Sequence, residues 1–140
     1  MPSVFTRIIE GEIPGTFVWR DEQCAAFMSI NPLRRGHTLV VPRMEIDHWF
    51  DCPPDLMDHL MAVSREIGAA QQQVFQPVRI GLMVAGLEVP HLHIHLVPID
   101  GVHDLDFANA AVSVERDDLE EAASAIRQFL QSRGLSGVAD

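Results

Sequence analysis

A chain of 140 residues and 15.6 kDa has the size of one compact domain, long enough to bury about two-thirds of its unfolded surface without metal or disulfide staples. Its 47% hydrophobic and 21% charged residues exclude a disordered chain, and no stretch approaches the roughly 18–20 uninterrupted apolar residues of a membrane-spanning helix. The formal net charge of −10, carried with ten arginines and no lysine, excludes a nucleic-acid polymer as partner but leaves room for a small phosphorylated ligand.

The N-terminus lacks the basic start and apolar run of an export signal, so a cytoplasmic location is expected. Phe5, Ile8 and Ile9 stand at helical spacing, and Gly11 follows as a helix stop. Thr16 to Arg20 and Cys24 to Ile30 read as strands joined by the polar turn Asp21-Glu22-Gln23. Gly36 to Pro42 reads as a third strand, rich in β-branched residues and ended by proline. Residues 53–75 form the strongest predicted helix. Pro53 and Pro54 suit its first turn, and Leu56, Leu60, Val63, Ile67, Ala70 and Val74 make one apolar stripe. Arg79 to Ala85 and His91 to Ile99 read as two further strands, with Gly86-Leu87-Glu88-Val89-Pro90 as a hairpin connection. Residues 100–116 are acidic and irregular. Asp117-Asp118 then opens a helix with Leu119, Ala122, Ile126 and Leu130 on one stripe and a stop near Gly134. Strands and helices without regular βαβ alternation predict a single α+β domain over residues 1–140, with an antiparallel sheet of about five strands and two main helices. Cys24 and Cys52 are too few for a disulfide framework and read as reduced thiols.

The segment Pro90-His91-Leu92-His93-Ile94-His95-Leu96-Val97-Pro98 carries the chemistry. On a strand, His91, His93 and His95 line one side, and Leu92, Ile94 and Leu96 line the other and belong to the core. Three histidines at strict alternation, out of seven in the chain, do not arise readily by chance on a surface strand. A metal site is one reading, with Glu88 and His37 as candidates to complete it, but same-face neighbours lie roughly 6.6 Å apart, so all three on one ion would require a bent strand. Nucleophilic catalysis is the other. A neutral imidazole nitrogen attacks phosphorus and forms a covalent phosphoramidate, provided its second ring nitrogen donates to a fixed acceptor. The middle histidine, His93, is the natural nucleophile, and a flanking imidazole can donate to a phosphate oxygen or to the leaving group.

His91-Leu92-His93-Ile94-His95-Leu96-Val97 matches the His-φ-His-φ-His-φ-φ signature (φ apolar) of the histidine triad (HIT) family of nucleotidyl hydrolases and transferases. Ile8-Ile9-Glu10-Gly11-Glu12-Ile13-Pro14, Ala26-Phe27-Met28-Ser29-Ile30-Asn31-Pro32 and Gly36-His37-Thr38-Leu39-Val40-Val41-Pro42-Arg43 resemble further motifs of the family, in order, over residues 4–98. Residues 99–140 match nothing family-wide. The resemblance implies an α+β HIT-like fold, a homodimer, no cofactor, and substrates in which a nucleoside monophosphate, usually a purine one, is linked through its α-phosphate to an amine, a carboxylate or further phosphate. A nucleoside phosphoramidate is the expected substrate type. The resemblance also implies His93 as nucleophile and His95 as the contact to phosphate and leaving group. His91 and His37 would support the row, and Phe5, Ile8 and Ile30 would line the base pocket. A nucleotide-binding regulatory protein with little turnover is the alternative within the fold. A metal-dependent hydrolase using the row as ligands is the alternative outside it.

Several positions depart from the family pattern. Many members bind zinc through two N-terminal cysteines, a histidine after the Pro-Lys/Arg pair and the first triad histidine. Ser3, Thr6 and Glu45 stand at the first three of those positions, so a structural zinc is not expected. Ser29 stands where the family usually has an aspartate that holds the ribose hydroxyls, and a neutral hydroxyl lacks charge-assisted strength. Leu87 replaces a glutamine that contacts the leaving side, and Glu88 adds a negative charge that disfavours polyphosphate leaving groups.

Overall fold

Ser3 caps the first helix by accepting from the Thr6 N–H at 3.1 Å, and α1 then runs over Val4–Ile9. Gly11 follows with φ of 87°, the left-handed value that a helix stop requires. The other elements of this computed structural model, which describes residues 1–140, are β1 (Phe17–Arg20), β2 (Cys24–Met28), β3 (Thr38–Pro42), α2 (Pro54–Phe75), β4 (Arg79–Met83), β5 (Ile94–Ile99) and α3 (Arg116–Ser132). Single 3-10 turns lie at Trp49–Asp51, Val102–Leu105 and Phe107–Asn109. The five strands form one wholly antiparallel sheet in the order β1-β2-β3-β5-β4, as the α+β reading predicts. The helices number three, the two long ones and the short α1.

Alternation divides the sheet into two apolar faces. Ala26, Val40, Ile94 and Leu96 pack against α2 and α3 in the main core, together with Leu60, Ile67 and Ile126. Ala25, Phe27, Leu39 and Val41 point the other way, to Phe5 and Ile9 of α1. Each fully buried Leu or Ile contributes about 1.5–3 kcal/mol relative to exposure, so both faces hold the sheet firmly. Gln71 of α2 ties the layers by donating from Nε2 to the carbonyls of Gly36 (2.9 Å) and Leu96 (3.0 Å). Gly36 itself has φ of 92° and lies against the Phe75 ring, 2.4 Å from where a Cβ would stand, so no other residue fits the turn that delivers β3.

The two sheet edges differ. The edge of β1 is covered by the C-terminal residues: Arg20 N–H donates to Gly137 O at 2.8 Å and Ala139 N–H to Val18 O at 3.1 Å. The edge of β4 carries no such cover, and Val78 and Leu82 beside it are exposed.

Five strand boundaries depart from the sequence expectation. β1 begins at Phe17 rather than Thr16, and β3 at Thr38 rather than Gly36. β2 stops at Met28 rather than Ile30, and β4 at Met83 rather than Ala85. More consequentially, β5 begins at Ile94, not at His91. Ahead of it, His91 N–H donates to Val89 O (2.8 Å) and Leu92 N–H to Ile46 O (2.6 Å), so local loop partners take the hydrogen bonds that a ladder would need. Leu92, Ile94 and Leu96 are nevertheless all buried in the main core, as the alternation requires.

Candidate active site

His95 lies opposite Leu39 and Met83 in the ladder, which puts it on the α1 face of the sheet. His93 precedes the strand and lies on the same face. Its ring meets that of His95 edge-on with centroids 4.7 Å apart, and Phe5 of α1 packs edge-on against it at 4.8 Å. His91 is fully buried behind the pair, while His93 and His95 keep 6% and 7% exposure, enough to meet a ligand.

Backbone groups fix where the protons sit. Leu33 N–H donates to His37 Nδ1 at 3.0 Å, so the proton of a neutral His37 is on Nε2. That Nε2–H donates to His95 Nδ1 at 2.9 Å, which leaves the His95 proton on its own Nε2. His93 Nδ1 lies 2.7 Å from the His91 carbonyl oxygen, which only accepts, so Nδ1 carries the proton and Nε2 keeps a lone pair. His91 donates from Nε2 to Pro42 O at 2.8 Å and accepts at Nδ1 from Ser3 Oγ at 2.5 Å. Six of the eight ring nitrogens are thereby engaged, and the two left are a lone pair on His93 Nε2 and a donor on His95 Nε2.

Burial favours the neutral form of His37, His93 and His95. It pushes His37 down to about 3, with the neighbouring imidazoles of His95 and His93 adding to the effect. Burial, and then His93, pushes His95 down to about 4. For His93, burial outweighs the hydrogen bond to the His91 carbonyl, and its pKa also falls below the ordinary value.

The pair opens into a mainly apolar cavity of about 560 Å³. Of the residues singled out in the sequence, Phe5, Ile8, Ser29, Ile30, His37 and Glu88 line it along with His93 and His95. His91 does not: it is fully buried, and its carbonyl meets His93 Nδ1; Leu87 is exposed and also stands outside the lining. The far wall escaped the sequence reading. It comes from Phe107, Ala110, Ala111, Val114, Arg116 and Leu119, all beyond the recognisable motifs. Asn31 straps this segment down by donating from Nδ2 to the carbonyls of Ala111 (3.1 Å) and Val112 (2.8 Å), and Arg34 holds Asp104 at 2.6 Å. Phe107, the only aromatic in residues 100–116, meets His95 edge-on at 5.2 Å and was the one signal available.

Ser3, Thr6, Glu45 and His91, the positions at which the sequence resemblance would place zinc ligands, come together. Glu45 Oε1 accepts from Ser3 N–H and from Thr6 Oγ1–H, each at 2.6 Å, and Ser3 in turn serves His91. These residues do not fit the metal: hydroxyls replace the thiolates, and both His91 nitrogens are already engaged.

An antiparallel α+β sheet bearing a buried histidine row at a cavity defines the class, and comparison with known proteins gives the family. The family model described as the HIT domain matches residues 10–102. A HIT-like protein of Methanocaldococcus jannaschii is 37% identical over 99 residues, covering 68% of this chain and 77% of that protein. Protein hit of Bacillus subtilis is 29% identical over 137 residues, covering 92% and 94%. Among solved structures, a Hit-like protein from Bartonella henselae superposes with a TM-score of 0.81 at 28% identity, covering 91% of this chain and 95% of the other. A zinc-bound histidine triad family protein from Mycobacterium smegmatis gives 0.78 at 26% identity, covering 94% of both. The chain belongs to the HIT family.

Proposed function

We infer that the protein is a nucleotidyl hydrolase acting at the α-phosphate of a purine nucleoside monophosphate conjugate, with nucleoside phosphoramidates as the substrate type. The observation that carries this reading is the complementary pair of free nitrogens, a fixed lone pair on His93 Nε2 beside a fixed N–H on His95 Nε2. His93 Nε2 attacks the α-phosphorus and the bond from phosphorus to the leaving nitrogen or oxygen breaks, while His95 Nε2–H hydrogen-bonds to the departing atom, which takes up a proton from solvent. Water then attacks phosphorus and releases its proton to solvent, the bond to His93 breaks, and the monophosphate leaves. His37 holds the His95 tautomer through both halves of the cycle. Phe5, Ile8 and Ile30 supply an apolar pocket suited to a base, and Ser29 a neutral hydroxyl for ribose. Glu88 on the lining disfavours a polyphosphate leaving group and suits a cationic, amine-bearing one.

The test is a panel of an adenosine phosphoramidate, a guanosine phosphoramidate and a dinucleoside polyphosphate, assayed for released monophosphate. Turnover of the phosphoramidates, and loss of several orders of magnitude of rate in His93→Ala with the fold intact, are expected. A His93→Ala protein that keeps near-wild-type rates overturns the mechanism. Glu88 and the missing ribose carboxylate also favour a second reading, a nucleotide-binding regulatory protein. The same panel separates it as tight binding without monophosphate release. A hydrolase using the row to hold a metal is less well supported, because only two ring nitrogens remain free; activity retained in chelator speaks against it.

The uncovered β4 edge, with Val78 58% and Leu82 47% exposed, supports pairing with a second copy into a homodimer.

A further inference from the structure

We propose that Glu45, acting through Ser3, Thr6 and His91, is a positioning residue that holds the His93 nucleophile in register by a chain of hydrogen bonds. Two hydroxyls and a carboxylate fasten the N-terminal helix to the histidine row. The hydrogen bonds form one continuous path. Glu45 Oε1 receives Ser3 N–H and Thr6 Oγ1–H at 2.6 Å each, which pins the first turn of α1. Ser3 Oγ, itself receiving Thr6 N–H at 3.1 Å, donates to His91 Nδ1. His91 Nε2–H is thereby directed to Pro42 O on β3, and the ring is held at both ends. The carbonyl of that same residue receives His93 Nδ1–H and so fixes the lone pair on Nε2.

Two consequences distinguish this path from an ordinary surface cluster. It crosses from residue 3 to residue 91, joining α1 to the segment ahead of β5, where no ladder hydrogen bonds set the backbone. It also seats Phe5, whose ring packs against both His91 (5.9 Å) and His93 (4.8 Å). Glu45 is exposed and lies outside the cavity lining, so it touches no substrate and acts only through its neighbours.

The inference rests on the proposed mechanism for its catalytic meaning but not for its test. With ¹⁵N-labelled imidazoles, the wild-type protein is expected to show single tautomers, Nε2–H for His91 and Nδ1–H for His93. Glu45→Ala and, as a second variant, Ser3→Ala are expected to lose the single His91 tautomer and broaden or shift His93. Glu45→Gln, whose amide oxygen still accepts both donors, restores the signals. In the phosphoramidate assay, Glu45→Ala lowers kcat on the order of tenfold with KM little changed, and Glu45→Gln recovers most of it. Unchanged imidazole signals in a folded Glu45→Ala and Ser3→Ala overturn the proposal whether or not the wild type turns over. Absence of turnover in the wild type, with the tautomer changes present, overturns the hydrolase reading and leaves the clamp standing.

Discussion

Burial of three imidazoles in an apolar wall sets the pH range over which the row works. On the proposed mechanism His93 must be unprotonated to attack, and its pKa lies below the ordinary value of about 6.5. On sequence grounds the acid limb of kcat/KM is expected near 6.5, moved by whatever surrounds the ring; the observed burial moves it down. A pH–rate profile is therefore expected to stay level from pH 7 to below 6.5 and to fall only at lower pH, as His93 takes a proton. A limb at or above 6.5 contradicts the assignment. Stability carries the same sign. His37 and His95 have folded values near 3 and 4, below the unfolded one, so the stability gained by keeping them neutral is complete above about 6.5 and drains away as pH falls towards those values. Alternation in the sequence was enough to put His93 and His95 on one face and their apolar neighbours in the core. It was not enough to assign protons, because those depend on Leu33 N–H and the His91 carbonyl, backbone groups that any side chain at those positions would offer.

At the level of elements, the helices were legible because their apolar stripes persist over many turns, as in α2, where Leu56, Leu60, Val63, Ile67 and Ala70 are all buried. The start of β5 was not, because the period-2 pattern runs unbroken from His91 while the hydrogen bonds ahead of Ile94 go to loop partners. The strap over residues 102–115 was the larger omission. Its side chains have no periodicity, and what places it is Asn31 reaching two carbonyls some 80 residues away. Because Phe107 meets His95 only at the ring edge and forms part of the wall, Phe107→Ala is expected to weaken substrate binding more than chemistry. Steady-state kinetics should give KM raised about five- to tenfold with kcat within about twofold, the pattern of lost uniform binding. A large fall in kcat at unchanged KM would assign Phe107 a part in aligning His95 instead.

For the molecule as a whole, the two sheet edges make a prediction about assembly. One edge is closed by the chain's own residues 137–139, and the other leaves the outer side of the short strand β4 without a partner strand. Light scattering is expected to give a mass near twice the 15.6 kDa of one chain. Leu82→Lys, which puts a charge on the exposed face beside that edge without entering either core, should bring the mass back to that of one chain. A wild-type mass of one chain would remove the dimer.

The residues that close the β1 edge also give the protein an internal optical gauge. Gly137 lies so close over the Trp19 indole that a Cβ there would fall 2.2 Å from the ring, and Trp19 is 7% exposed while Trp49, the only other tryptophan, is 58% exposed. With no tyrosine in the chain, near-ultraviolet emission divides into a shielded, blue-shifted component and a quenchable, red-shifted one. Undocking of the C-terminal residues would move only the first, so a single fluorescence spectrum with iodide reports whether that edge of the sheet is closed.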